Sequence, residues 1–147
     1  MKRRLISELM TKQGLVTLAP DATAREAARA MAERGVGAVL VTDGHTLVGI
    51  LTERDVTNRV DAQGRDPDTT PIGEVMTRKP LTVSPDDPAI NGLRILKSEG
   101  FRHLPVTRGA RLVGMLSARD FTSEELAEVE EEVAFQQAFV EGGVERT

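Results

Sequence analysis

The chain repeats itself, and that limits what it can fold into more than any other feature. Residues 16–56 (VTLAPDATAREAARAMAERGVGAVLVTDGHTLVGILTERDV) align without a gap on residues 81–121 (LTVSPDDPAINGLRILKSEGFRHLPVTRGARLVGMLSARDF). More than a third of the positions are identical, and most of the others exchange like for like. The lead-ins match as well: Ile6-Ser7-Glu8-Leu9-Met10-Thr11 corresponds to Ile72-Gly73-Glu74-Val75-Met76-Thr77, with one extra residue following in the first copy. A period of this length marks one supersecondary unit used twice, whose copies must bury what a single copy leaves bare.

Each copy reads as the same series of elements. A short helical turn ends at the Met-Thr pair, and an extended segment follows (Leu15–Leu18; Leu81–Val83), closed by Pro20-Asp21 or Pro85-Asp86. Ala24, Ala27, Ala28 and Met31 then fall at helical spacing before Gly35, as Ala89, Leu93 and Leu96 do before Gly100. Two strands come next. Val36–Thr42 and Leu47–Leu51 flank Asp43-Gly44, and Phe101–Thr107 and Leu112–Leu116 flank Arg108-Gly109, both hairpin signals. A second helix begins at Thr52 or Ser117. The order is β-α-β-β-α, twice, which predicts an α+β fold of two repeats packed face to face with pseudo-twofold symmetry, plus a C-terminal helix. Residues 1–60 are read as the first repeat, 61–70 as a linker, 71–122 as the second repeat and 123–147 as an acidic helix and tail.

The tail pattern runs from Ser123 to Val140. Its first part carries Glu124, Glu125, Glu128, Glu130, Glu131 and Glu132, while Leu126, Val129, Val133 and Val140 sit near heptad spacing with Phe135 and Phe139 beside them. A terminal helix docked on its own chain with a solvated acidic face and a helix that makes a dimer contact both fit this pattern. Gly142-Gly143 is expected to end it.

Composition removes several function classes. The absence of cysteine excludes disulfides, thiolate metal sites and cysteine nucleophiles. A net charge of −4, with neither Trp nor Tyr, argues against nucleic-acid binding, which needs a basic face and stacking rings. The basic cluster Lys2, Arg3 and Arg4 is followed at once by Ser7 and Glu8, and no apolar run is long enough to span a bilayer, so no membrane association is expected and the cytoplasm is the expected location. Only two histidines exist, His45 and His103, and no nucleophile elbow, phosphate-binding glycine loop or zinc-protease motif occurs. The chain is not expected to be an enzyme.

Both copies end on one phrase, Gly49-Ile50-Leu51-Thr52-Glu53-Arg54-Asp55 and Gly114-Met115-Leu116-Ser117-Ala118-Arg119-Asp120. At a strand-to-helix junction a hydroxyl followed three residues later by a carboxylate forms a capping box, which by itself accounts for both pairs. The same groups suit a nucleotide, because a hydroxyl donates to phosphate or ribose and a carboxylate accepts from a ribose diol. Arg102 and His103 have the chemistry of a phosphate contact, Arg through its planar fork, although two adjacent strand residues need no ligand to explain them. Their counterparts in the first copy are Gly37 and Ala38, so any clefts that the two copies form are expected to be unequal.

The repeat period, the element order, the two closing phrases and the run Arg102-His103-Leu104-Pro105-Val106 resemble the CBS domain family, named after cystathionine β-synthase. The resemblance covers residues 5–122 and implies a tandem pair, or Bateman module, of the stand-alone bacterial type. It implies clefts between the repeats that take AMP, ADP, ATP or a related adenosyl ligand, with no required cofactor, and a regulatory role toward an unknown partner protein. It also implies a homodimer. Carried onto this sequence, the ligand-binding set is Thr52, Asp55, Arg102, His103, Pro105, Val106, Met115, Ser117, Arg119 and Asp120. The two aspartates would meet ribose, and Ile50, Met115 and Val106 would flank adenine; for Arg54 and Arg119 a helix salt bridge is an equal alternative. Because Arg102 and His103 lie in the second copy, its motif is the favoured one. The alternative function is a structural or dimerisation module with empty clefts.

Overall fold

The computed structural model describes residues 4–146, with side chains as far as Ala138; Lys2, Arg3 and the side chains of Phe139 and Val140 lie outside the described residues. A short helix α1 (Ile6–Leu9) precedes β1 (Thr17–Leu18), α2 (Ala24–Arg34), β2 (Ala38–Asp43) and β3 (Thr46–Thr52). Helix α3 (Glu53–Asp55) runs straight into a π-helical stretch, Val56–Asp61. The second copy follows a 3-10 turn (Ile72–Glu74) with β4 (Thr77–Arg78), α4 (Ala89–Glu99), β5 (His103–Arg108), β6 (Arg111–Ser117) and a 3-10 turn, Ala118–Asp120; α5 (Ser123–Arg146) ends the chain.

Local signals explain these boundaries. Thr23 and Glu26 form a capping box at the start of α2, and Gly35 and Gly100 end α2 and α4 in the left-handed conformation, at φ of 65° and 70°. The hairpin loops are Gly44-His45 and Gly109-Ala110, one residue later than the sequence reading, because Asp43 pairs with Thr46 and Arg108 with Arg111. Only the first loop residue has positive φ, 63° at both Gly44 and Gly109, which is the II′ pattern.

The strands form one sheet in the order β1-β2-β3-β6-β5, with β4 added beside β3. The two hairpins join tip to tip: Leu47 N–H donates to the Ala110 carbonyl, and Leu112 N–H to that of His45, both at 3.0 Å. These bonds are each other's images under the internal symmetry. The repeats do not share one core between two facing sheets. Each has its own, one around Ala24, Ala27, Met31, Val39, Val41 and Leu51, the other around Ala89, Leu93, Leu96, Leu104, Val106 and Leu116.

What couples the two cores is an exchange of lead-ins. Ile6, from the first lead-in, is wholly buried in the second repeat's core, while Ile72, Val75 and Met76 belong to the first repeat's core. Ile6 N–H donates to the Asp87 carbonyl at 2.9 Å, and Ile72 N–H to the Ala22 carbonyl at 2.8 Å, again as symmetric images. Gly114 and Gly49 make the crossing possible. A Cβ on Gly114 would stand 2.7 Å from Met10 Sδ, and one on Gly49 would stand 2.9 Å from both Met76 Cγ and the Thr77 carbonyl oxygen. The glycine that opens each closing phrase is therefore the seat for the other repeat's methionine. Burying a side chain such as Ile6 contributes about 1.5–3 kcal/mol, so neither repeat is closed without the other's segment.

Further details add to or depart from the sequence reading. The first extended segment of the second copy shrinks to one parallel bridge, Val83 to Val106. The segment read as a linker, 61–70, is tied down: Thr70 is buried, its hydroxyl donates to the Asp66 carbonyl at 2.7 Å, and Arg25 pairs with Asp68 at 2.9 Å. The second helix of the second copy stops after one turn because Phe121 turns into the core, and α5 restarts at Ser123. Helix α5 docks on α4 through Leu126, Val129 and Val133, and three of its glutamates pair with cations: Glu125 with Arg4, Glu130 with Lys97 at 2.9 Å and Glu132 with Arg94 at 3.1 Å. It continues through Gly142-Gly143, since glycine in a helix costs about 1 kcal/mol relative to alanine without having to end it.

Candidate functional site

Both closing phrases form the capping geometry that their sequence demands. Asp55 N–H donates to Thr52 Oγ1 at 3.1 Å, and Thr52 N–H donates to Asp55 Oδ2 at 3.0 Å. In the second copy Ser117 N–H donates to Asp120 Oδ2 at 2.8 Å, but the N–H that reaches Ser117 Oγ, at 3.3 Å, is that of Arg119. Capping engages the Thr52 hydroxyl only as an acceptor, so its proton is available to another group. The second Asp55 oxygen has Arg59 Nη2 no nearer than 3.8 Å.

A cleft of about 690 Å³ opens beside the first phrase. Gly37, Ala38, Ile50, Thr52, Glu53, Arg54, Asp55, Thr57 and Asn58 line it from the first repeat; Gly100, Phe101, Arg102, His103 and Pro105 line it from the second. Thr77, Pro80 and Leu81 complete the wall, carried there by the exchanged lead-in that adds β4 to β3. Thus Thr52, Asp55, Arg102, His103 and Pro105 of the sequence-derived set come together. Arg102 and His103 of the second copy meet the motif of the first.

The remaining members sit elsewhere. Val106 is wholly buried in the second core, where it packs rather than faces a cleft. Met115 exchanges backbone hydrogen bonds with Thr11. Ser117, Arg119 and Asp120 are outside the cleft lining and touch it indirectly, through the pairing of Ser117 with His103 across β5 and β6. Of the three residues expected around adenine, Ile50 alone lines the cleft.

Sequence reasoning missed the apolar lips. Phe101 is 43% exposed and Leu81 48%, and both line this cleft. Neither stood out, because an apolar residue opening an extended segment reads as core; in the structure β5 begins at His103 and the Leu81–Val83 segment pairs only at Val83, which leaves both side chains at the cleft.

Electrostatics separate the basic groups. Burial pushes the His103 imidazole below its ordinary value of 6.5, and the positive charges of Arg119 and Arg102 push the same way against the opposing pull of Asp120. His103 is therefore a neutral hydrogen-bonding group at neutral pH, and Arg54 and Arg102 supply the positive charge. Among the described residues neither arginine takes part in an ion pair. Those residues also include no cluster of three or more His, Asp or Glu able to hold a metal ion, and no helix long and apolar enough to cross a membrane.

The sequence profile of the CBS domain family matches residues 6–62 and again 72–126. The mitochondrial CBS domain-containing protein CBSX3 of Arabidopsis thaliana is 31% identical over 128 residues, 84% of this chain. The chain spans 62% of that protein's length and 21% of another Arabidopsis relative, CBSCBSPB2. Among solved structures, the CBS domain protein PAE2072 of Pyrobaculum aerophilum, complexed with AMP, superposes with a TM-score of 0.74 at 32% identity, covering 86% of this chain and 98% of that one. CBSX2 in complex with AMP superposes with a TM-score of 0.69 at 26% identity, covering 79% and 91% of the two chains. None of these names carries a reaction.

Proposed function

The chain belongs to the CBS domain family as a tandem pair, and from that premise we propose that it is a non-catalytic regulatory module that binds an adenine nucleotide (AMP, ADP or ATP) between its repeats. One observation carries the reading: a single cleft gathers the groups that the three parts of a nucleotide require. Phe101, Leu81 and Ile50 offer apolar surface for a flat base. Asp55 and Thr52 offer a carboxylate and a hydroxyl to a ribose, and Arg102 and Arg54 offer charge to a phosphate. The AMP complexes of PAE2072 and CBSX2 support the same ligand class.

Because the cleft is walled by both repeats and by the exchanged lead-in, a bound nucleotide would favour one relative setting of the two cores. A partner protein that distinguishes the settings would then read occupancy. The module acts in the cytoplasm as a homodimer, and α5, which leaves Phe135 70% exposed beyond its docked face, is one surface available for association.

The test is a thermal unfolding series with millimolar AMP, ADP and ATP. A ligand held only by the native state raises the midpoint, by about 2.7 kcal/mol of stabilisation at a hundredfold excess over Kd. A rise with at least one nucleotide is expected. No shift with any of them overturns the sensor and leaves the capping boxes as the whole role of Thr52 and Asp55, hence a structural module.

A further inference from the structure

The two repeats carry opposite charge at one equivalent pair of positions, and this bears on which nucleotide the cleft accepts. Where the second repeat has Arg102 and Ala118, the first has Gly37 and Glu53. The exchange is spatial as well as sequential. The Glu53 carboxylate lies over Gly37, with Oε1 3.5 Å from the point where a Gly37 side chain would begin. Glu53 thus borders, at van der Waals distance, the place that an arginine side chain starts from in the other repeat. Among the described residues it takes part in no ion pair.

We propose that Glu53 is a specificity-determining residue that makes this cleft prefer a nucleoside monophosphate over the triphosphate. The inference rests on the nucleotide reading above and deepens it. In the cleft lining Glu53 and Asp55 balance Arg54 and Arg102, while His103 is neutral, so the site has no surplus positive charge. A phosphate monoester brings about −1.5 to −2 at neutral pH, and each further phosphoryl group adds another negative charge. Two arginines answer the first phosphate. An added β- or γ-phosphate has no further cation in the lining and meets the Glu53 carboxylate instead. Removing that carboxylate should therefore help the triphosphate more than the monophosphate, by an amount that solvent screening keeps modest.

The experiment is calorimetric titration of the whole chain with AMP and with ATP, in low-salt, magnesium-free buffer. It compares the unaltered protein with Glu53→Gln and with Glu128→Gln, an exposed α5 substitution that changes net charge equally far from the cleft. The unaltered protein should bind AMP more tightly. Glu53→Gln should narrow the AMP-to-ATP preference about fivefold, and Glu128→Gln should leave it as it was. Unchanged thermal midpoints without ligand certify that both variants are folded. A preference for ATP in the unaltered protein, or an equal effect of Glu53→Gln on both ligands, overturns the proposal. Absence of binding by either nucleotide overturns the nucleotide reading itself, which is a distinguishable failure.

Discussion

The phrase that closes the first repeat and the phrase that closes the second are nearly the same words in different surroundings. Thr52–Asp55 leads into an unbroken helical segment to Asp61 and lines a cleft whose far wall supplies Arg102 and His103. Ser117–Asp120 makes one 3-10 turn, stops where Phe121 enters the core, and lies outside that lining. Duplication preserves the strand-to-helix junction and the backbone N–H that each aspartate accepts, whereas the chemistry around each junction depends on which residues symmetry brings across from the other copy. Arg102 lines the cleft with Thr52 and Asp55 of the other repeat and not with Ser117 and Asp120 of its own.

The largest effects should fall on the features the repeats share. Gly49→Val and Gly114→Val each force a side chain into the exchanged methionine and its backbone, so each should lose about 3 kcal/mol in denaturant unfolding. A much smaller loss for either would mean that its lead-in does not cross. Ile6→Ala and Ile72→Ala should each cost about 3 kcal/mol, and the informative readout is where the loss appears. By hydrogen exchange Ile6→Ala should loosen β6 and α4 of the second repeat, and Ile72→Ala should loosen β2 and β3 of the first. Loosening confined to each residue's own repeat would break the exchange.

A smaller effect separates the repeats by pH. His103 titrates below its ordinary 6.5 in the folded chain, and its counterpart Ala38 does not titrate. In the unfolded chain the imidazole takes up its proton first, so stability is whole above about pH 6.5 and is lost as pH falls toward the lowered folded value. His103→Gln should therefore show a shallower fall in thermal midpoint between pH 7.5 and 5.5 than the unaltered chain. Equal falls would mean that the imidazole is as free as in solvent.

Much of the fold was legible in the sequence because its signals are local. Gly35 and Gly100 stop helices, Gly44 and Gly109 turn hairpins, and Thr23 with Glu26 caps α2. The exchange of lead-ins was not legible, since Ile6 and Ile72 have the same apolar face whichever core receives it; only the paired clearances at Gly49 and Gly114 decide. The site was half legible for the same reason. Residue chemistry singled out Thr52, Asp55, Arg102 and His103, but favouring the second copy's motif joined the arginine to Asp120, whereas the cleft lining brings it to Asp55, and Phe101 was read only as the start of a strand. Val106 shows the converse, an apolar residue in a suggestive run that the core had already claimed.

In the nucleotide reading one cleft unites the first repeat's motif with Arg102 and His103 of the second. Asp55→Asn and Asp120→Asn provide its cleanest comparison, because each aspartate accepts the same capping hydrogen bond and the cost to folding should be similar. AMP titrated calorimetrically into both variants should bind about tenfold more weakly to Asp55→Asn, the loss of one charge-assisted hydrogen bond, and within about twofold of normal to Asp120→Asn. The reverse order, with Asp120→Asn abolishing binding and Asp55→Asn sparing it, would place the nucleotide at the second repeat's motif instead.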